Sequence, residues 1–345
     1  LAALTVRPPE YLLLRTPPEP WLPEDTMAVN LAMRFVLEDA HGDAEIRRAL
    51  LRKLLPDVAF EFFGAPDSGW DAAIDGTELP LPVIPSAEKF GWRGWSNAVA
   101  WTEPAGRWDE DSFMPGSNSW AVQGRFTNGP ILANDMHLAL GVPGIWFRAC
   151  LRYPNLPSAE VNGFTLPGTP AVVVGSNGRI AWGFTAAGMD LCDLVELELD
   201  PGNPRRYRTP NCWSELAAAT EEIAVRGGTN VPLAVDLTMW GPVVEPKGLG
   251  KRCALVWAGR RSDANNLRLM ELEKATSTIE ALEVAPFCGI ANNNIIVVER
   301  YGSPAWTLTG RLPDRMGFAG DLPVPWTNYD TGWRGLLPLR EYPRF

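Results

Sequence analysis

Serine, histidine, asparagine and closely spaced carboxylates are the side chains whose types and spacing bear on chemistry in this chain. Pro115-Gly116-Ser117-Asn118-Ser119-Trp120 sets a serine directly after a glycine, at the start of a run that reads as a strand. On those residues alone the Gly116–Ser117 bond is a turn entering a strand. A serine hydroxyl becomes an effective nucleophile only when a base removes its proton. The chain holds two histidines, His41 and His137, so any histidine-dependent triad has two candidates. No Gly-x-Ser-x-Gly elbow, Walker lysine loop, Gly-x-Gly-x-x-Gly or His-Glu-x-x-His occurs. Asp190-Leu191-Cys192-Asp193 offers two carboxylates with backbone carbonyls between them, a donor set suited to a hard cation. The five cysteines are scattered, with no Cys-x-x-Cys and hence no zinc knuckle or thioredoxin-type motif.

The elements that must position these groups fall into two textures. Pro23–Leu55 reads as helical: Pro23-Glu24-Asp25-Thr26 supplies capping residues, apolar positions recur from Met27 to Val36, and a second run, Asp43–Leu55, follows a break at Gly42. Gly64–Phe113 has little periodicity and many prolines, glycines and tryptophans, as in Leu79-Pro80-Leu81-Pro82; it reads as a long irregular connection. From Ser117 short strand-like runs alternate with turns. They are Trp120–Arg125, Ile131–Asn134, Ile145–Leu151, Ala171–Val174, Ile180–Thr185, Leu194–Leu199, Ala234–Met239 and Ala254–Ala258, with Asn128-Gly129 and Asn177-Gly178 as turn signals. Helical patterns return at Asn265–Ala275 and Thr278–Ala285, and strands at Asn293–Glu299 and Ala305–Leu308. Strands in succession with helices segregated from them argue an α+β fold with mainly antiparallel sheets.

The 345 residues suffice for about two domains or one large one. Apolar residues make up 46% and charged residues 21%, which supports a packed core. A net charge of −10 argues against a phosphate-backbone partner. No apolar run approaches the ~20 residues of a membrane helix. With 32 Gly, 32 Pro and 15 Trp, a turn-rich protein with deep aromatic packing is expected. The start at Leu1, with no leader, and the end at Phe345, with no polar tail, read as a segment of a longer protein.

Five motifs stand in fixed order: Gly116-Ser117-Asn118-Ser119-Trp120; Asn134-Asp135-Met136-His137-Leu138; Pro167-Gly168-Thr169-Pro170 running on to Trp182-Gly183-Phe184-Thr185; Asn292-Asn293-Asn294 running on to Glu299; and Gly310-Arg311-Leu312-Pro313-Asp314-Arg315. In this order they resemble the penicillin acylase family of N-terminal nucleophile (Ntn) hydrolases, over nearly the whole chain. The resemblance implies a four-layer αββα core with antiparallel sheets, preceded by a helical first-chain segment. Residues 1–63 would be the helical part of that first chain, 64–116 a spacer ending at a self-cleavage site, and 117–345 the start of the second chain. Cleavage at Gly116–Ser117 would leave Ser117 with its own α-amine, whose unperturbed pKa of ~7.7–8.0 suits a base at neutral pH. Gly116, lacking a side chain, would tolerate a strained backbone at the bond.

By the same resemblance Asn294 donates its side-chain amide, and Ala186 its backbone N–H, to the oxyanion. His137 sits close to the nucleophile's amine, and Arg315 near the oxyanion asparagine. Arg34 and Phe35 belong to the specificity helix, and with Leu138, Val174 and Phe184 they surround an apolar acyl group. Asp190, the carbonyl of Cys192, Asp193 and Glu45 match a calcium site; no organic cofactor is implied. Met136 and Val298-Glu299 depart from the family's usual Pro and Ala-Asp, without removing a catalytic group. The implied activity is hydrolysis of a linear or β-lactam-borne amide, by self-cleaved chains, without nucleic acid or membrane partners, in the periplasm or outside the cell. Two other readings stay open. A conventional serine or metal hydrolase would keep activity when the α-amine is blocked. A non-catalytic scaffold of the same fold would stay one intact chain.

Overall fold

A computed structural model describes residues 6–65, 81–90, 116–138, 141–142, 144–154 and 160–345. Most of the 64–116 spacer therefore lies outside the described residues. The helices are α1 (Pro9–Leu14), α2 (Pro23–Leu37), α3 (Asp43–Leu54), α4 (Asp57–Phe63), α5 (Ala87–Phe90) and α6 (Thr278–Val284). Pro23 takes the first helical position of α2, and Asp25 Oδ2 accepts the Leu22 N–H at 2.7 Å, so the helix starts where the capping residues stand. Gly42 has φ +72°, a left-handed conformation that separates α2 from α3.

The strands are β1 (Gly116–Val122), β2 (Ile131–His137), β3 (Phe147–Arg152), β4 (Glu160–Thr165), β5 (Val174–Ser176), β6 (Ile180–Ala186), β7 (Cys192–Glu196), β8 (Leu199–Asp200), β9 (Asn203–Arg208), β10 (Trp213–Glu215), β11 (Ala217–Ile223), β12 (Val231–Leu237), β13 (Val243–Val244), β14 (Cys253–Trp257), β15 (Asn293–Glu299), β16 (Ala305–Leu308), β17 (Pro313–Met316) and β18 (Gly332–Leu336). All named pairings are antiparallel, as the succession of strands and turns implies. Six strands form one sheet in the order β16-β15-β6-β5-β4-β3, and β1 pairs with β2 as a hairpin. That hairpin lies on the large sheet against β6 and β15. A 3₁₀ run, Arg268–Lys274, and α6 cover the opposite face, and their Leu269, Leu272 and Ala281 share one core with Val161, Trp182, Ile295 and Val297. Residues 265–275 thus tighten into a 3₁₀ run where a longer helical stretch is expected from the pattern.

Two devices hold these layers together. Asn177, fully buried at the β5–β6 turn, donates to the Glu273 and Ala275 carbonyls at 3.1 and 2.7 Å, which fastens the helical layer to the sheet. On the hairpin side a Cβ on Gly183 would stand 3.0 Å from Asn134 Oδ1 and from Ser119 Oγ, so the close approach of the two sheets depends on that glycine. The architecture is α+β, with a helical segment ahead of the stacked sheets.

Candidate active site

Antiparallel pairing brings the start of β1 beside the end of β2, and the end of β6 beside the start of β15. Ser117, Ala186 and Asn294 therefore meet at one end of the stacked sheets, although they are far apart in sequence. The Ala186 backbone N–H donates to Ser117 Oγ at 2.9 Å. Asn294 pairs in register with Thr185, the residue before Ala186, and its Nδ2 donates to Thr185 Oγ1 at 3.1 Å. Its Oδ1 accepts from Trp306 Nε1 at 3.2 Å, which fixes the amide's orientation. The Ala186 N–H thus contacts the serine hydroxyl, and the Asn294 amide lies 3.4 Å from the Ala186 carbonyl.

The spacing between hairpin and sheet rests on Asn134, which the sequence motif contains but to which it assigns no role. Its Nδ2 donates to the carbonyls of Asn118 (3.0 Å) and Phe184 (2.8 Å), and its Oδ1 accepts the Phe184 N–H at 2.8 Å. One side chain thus ties the residue after Ser117 to the strand that carries Ala186.

An added Cβ on Gly116, the first residue of β1, would meet His137 Nδ1 at an ordinary 3.4 Å. His137 pairs with Gly116 and not with Ser117. Side chains alternate across a strand, so it lies on the face opposite Ser117. Its Nε2 sits 2.9 Å from Asp135 Oδ2 and 3.2 Å from Asn118 Nδ2, and the ring is partly exposed. His137 thus stands beside Gly116, whose carbonyl is bonded to the Ser117 nitrogen, and away from the Ser117 hydroxyl.

An apolar cavity opens at Ser117 and Ala186. Leu138 and Phe184 line it as expected, but Phe35 and Val174 do not. Phe35 lies on another face of α2, half exposed and 4.9 Å from the Trp257 ring, while Met33 and Leu37 face the cavity. Val173 takes the place given to Val174, because the strand begins later than its apolar run suggests and one step along a strand reverses the face. Trp146, Leu166, Leu269 and Ile290 complete the wall, and no charged side chain lines it among the described residues.

Arg34 is not at the cavity either; it is 2% exposed and works as an internal clamp. It donates to the carbonyls of Ala264 (3.0 Å) and Ile290 (2.8 Å) and to Asn292 Oδ1 (3.2 Å), and it pairs with Glu38 at 3.1 Å. Glu38 in turn accepts the Asn292 N–H at 2.9 Å and Trp257 Nε1 at 3.0 Å. Burial lowers the Arg34 pKa and raises that of Glu38, and each partner opposes the other's shift. The pair fixes the segment that leads into Asn293 and Asn294.

Arg315, expected near Asn294, makes its side-chain contacts with Asp193 and Asp190. Its Nε donates to Asp193 Oδ2 at 2.8 Å, and its Nη2 lies 3.0 Å from Asp190 Oδ2. Asp193 is fully buried and also accepts from Trp333 Nε1. Glu45, from the first turn of α3, reaches the same region: its Oε2 accepts the Leu194 N–H at 2.6 Å, and its Oε1 is buried without a partner. Cys192 pairs with Trp257 in the ladder between β7 and β14. Calcium requires six to eight oxygen ligands. Here a guanidinium already occupies the paired carboxylates, and among the described residues no three acidic, cysteine or histidine side chains converge as metal ligands. As arranged, the residues do not fit a calcium ion.

Burial, with repulsion from Asp193 and Asp190, pushes the Glu45 carboxyl up to about 9; burial likewise pushes Asp190 up to about 6. The folded state then keeps a proton on Glu45 that the unfolded chain releases near pH 4.3. Glu45 therefore favours folding fully at acid pH, and that contribution is lost as pH rises toward about 9. Urea melts across this range should show stability declining, with a smaller slope in Glu45→Gln, and EDTA should leave the midpoint unchanged. A midpoint raised by calcium and lowered by EDTA would restore the cation site.

The stacked antiparallel sheets with helices on their flank form the fold of a solved penicillin acylase. The solved thermostable penicillin G acylase from Alcaligenes faecalis superposes with a TM-score of 0.52 at 23% identity, over 59% of this chain and 36% of that one. The family model for penicillin amidase matches residues 1–345, and the chain belongs to that family. Penicillin acylase 2 proenzyme of Pseudomonas sp. (strain SE83) is 28% identical over 358 aligned positions, covering 100% of this chain and 44% of the relative. The acyl-homoserine lactone acylase QuiP of Pseudomonas syringae pv. syringae (strain B728a) is 27% identical over 340 positions, covering 94% and 39%. The chain thus spans less than half the length of these curated relatives. Among the described residues no helix is long and apolar enough to cross a membrane.

Proposed function

We propose that the protein carrying this chain cleaves itself at Gly116–Ser117 and then hydrolyses amides of apolar carboxylic acids through an acyl-enzyme on Ser117. The observation that carries the reading is the 2.9 Å contact of Ser117 Oγ with the Ala186 N–H at the mouth of an apolar cavity. In self-cleavage Oγ attacks the Gly116 carbonyl carbon, the amide becomes an ester, and water opens the ester. This frees the first chain's carboxylate and the Ser117 α-amine. In turnover that amine takes the hydroxyl proton and returns it to the departing amine of the substrate. The Ala186 N–H holds Oγ at rest; the oxyanion forms on the carbon that Oγ attacks, two bonds from Oγ, where this N–H would turn to it and Asn294 would supply the second donor. Residues 1–63 would then belong to the first chain, 64–116 to the spacer and 117–345 to the second chain. The two chains are each other's partners, and a place outside the cytoplasm rests on the resemblance alone.

The acyl part should be apolar, because the described cavity wall carries no charge. Each buried CH₂ contributes about 0.8 kcal/mol, so two added carbons should raise kcat/KM roughly tenfold until the cavity is full. A series of acyl anilides from acetyl to dodecanoyl, with phenylacetyl, glutaryl, a penicillin and an acyl-homoserine lactone, tests this. An alkyl or aryl optimum is expected; glutaryl as the best substrate would overturn the apolar pocket. Activity that survives blocking of the α-amine would favour a conventional serine hydrolase.

A further inference from the structure

A second cleft lies apart from the catalytic cavity and shares no lining residue with it. Its volume is about 310 Å³, at the lower end for small-molecule sites and suited to a ligand of one or two rings. The turn after β12, the 3₁₀ turn after β14 and strand β18 form its walls. These segments bring three indoles, Trp240, Trp257 and Trp333, to one concave surface. Two of the rings are fixed by their own N–H: Trp257 Nε1 donates to Glu38 at 3.0 Å, and Trp333 Nε1 donates to Asp193. Trp240 packs edge-to-face against Tyr207 and Trp326, with ring centroids 5.5 and 6.0 Å away. Rings held in this way offer contact area at little cost in conformational entropy.

The cleft also contains two guanidinium groups in different states. Arg261 is committed to Asp263, at 2.9 and 3.1 Å. Arg260 makes no side-chain hydrogen bond or ion pair among the described residues. Its place is built into the backbone. A Cβ on Gly241 would stand 2.8 Å from Arg260 Nη1 and 1.9 Å from the Leu255 carbonyl oxygen, so a side chain at that position would displace the guanidinium. No carboxylate lines the cleft among the described residues, although the whole chain carries a net charge of −10. An inorganic anion would satisfy Arg260 and leave the indoles in water. A neutral ring would cover the indoles and leave the cation unpaired. An anion with a flat apolar body satisfies both, since a guanidinium matches a carboxylate and indoles match a ring.

We infer that this cleft binds a planar aromatic carboxylate, its ring against the indoles and its carboxylate on the Arg260 guanidinium. Binding here is independent of hydrolysis at Ser117.

The test is calorimetric titration of the full-length protein with 2-naphthoate. Two comparison ligands separate the contributions: 2-naphthylmethanol keeps the rings and loses the charge, and decahydro-2-naphthoate keeps the charge and loses the flat π-face. Each should bind about three- to tenfold more weakly than 2-naphthoate. Arg260→Leu should weaken 2-naphthoate by a similar factor and remove its preference over the alcohol. Arg260→Lys keeps a charge without the planar fork and should retain part of the affinity. Arg260 is exposed, so both variants should fold as the wild type does. Naphthoate held in the catalytic cavity would be indifferent to Arg260. Equal affinity of wild type and Arg260→Leu, or no binding at all, would therefore overturn the inference. Equal binding of the flat and the saturated acid would overturn it as well, because the indoles would then contribute nothing specific to a ring.

Discussion

Ser117→Ala is expected to remain one chain under conditions in which the wild-type full-length protein separates into two. It should also lose amide hydrolysis by on the order of 10⁴-fold or more. Both effects follow from one atom. Oγ is the group held by the Ala186 N–H at 2.9 Å, and it lies beside the bond that would be cut. Removing it takes away the nucleophile for self-cleavage and for turnover. Without cleavage there is also no α-amine to act as base. The substitution deletes a small, partly buried hydroxyl, so the folded state should persist, as thermal melts would show. Intact-mass measurement separates the outcomes. In the wild type the second chain should begin Ser-Asn-Ser-Trp. Equal cutting of wild type and variant would assign the cleavage to a contaminating protease and remove the Ntn mechanism.

Asn294→Ala should lower kcat by about 10²–10³-fold with little change in KM, because the lost donor acts on a charge that appears only in the transition state. Three consecutive asparagines compete for this role, and their partners tell them apart. Asn292 Oδ1 accepts from Arg34, and Asn293 Nδ2 donates to the Ala291 carbonyl at 2.7 Å. Asn293 pairs with Ala186 but commits its amide to Ala291, whereas Asn294 pairs with Thr185 and holds its amide toward the Ala186 carbonyl. The alanine variant also leaves Trp306 Nε1 without its acceptor. Asn294→Asp is therefore the cleaner probe: it keeps an acceptor for Trp306 and loses the donor. It should show the same fall in kcat with a smaller loss of stability. A KM effect alone, with kcat intact, would make Asn294 a binding residue and leave the oxyanion to other donors.

The hydrolase readings separate on the same samples. Wild type that never cleaves would support a scaffold; cleavage that requires Ser117 supports the acylase. Arg34 bears on this indirectly. Its contacts with Ile290 and Asn292 hold the chain just before Asn294, so a change there reaches the oxyanion donor through the backbone.

Much of this protein is decided locally and can be read in one dimension. Turn residues at Asn128-Gly129 and Asn177-Gly178 separate strands where they are expected, because a left-handed or sharply bent backbone admits few residue types. Ser117, Ala186 and Asn294, named through the family resemblance, lie at strand ends that antiparallel pairing brings to one end of the sheets. What the sequence alone leaves undecided is which way side chains face. Helix α2 is apolar on several sides, so its periodicity does not choose between Phe35 and Met33; the layers packed around it turn Met33 and Leu37 to the cavity and Arg34 inward. Val173 replaces Val174 at the cavity because a strand's starting residue, and with it every later face, is set by pairing with β4. Arg315 meets Asp193 across 122 positions of sequence. Spacing within a motif carries no information about such a contact, since burial in a shared interior, and not proximity along the chain, selects an arginine as the partner of those carboxylates.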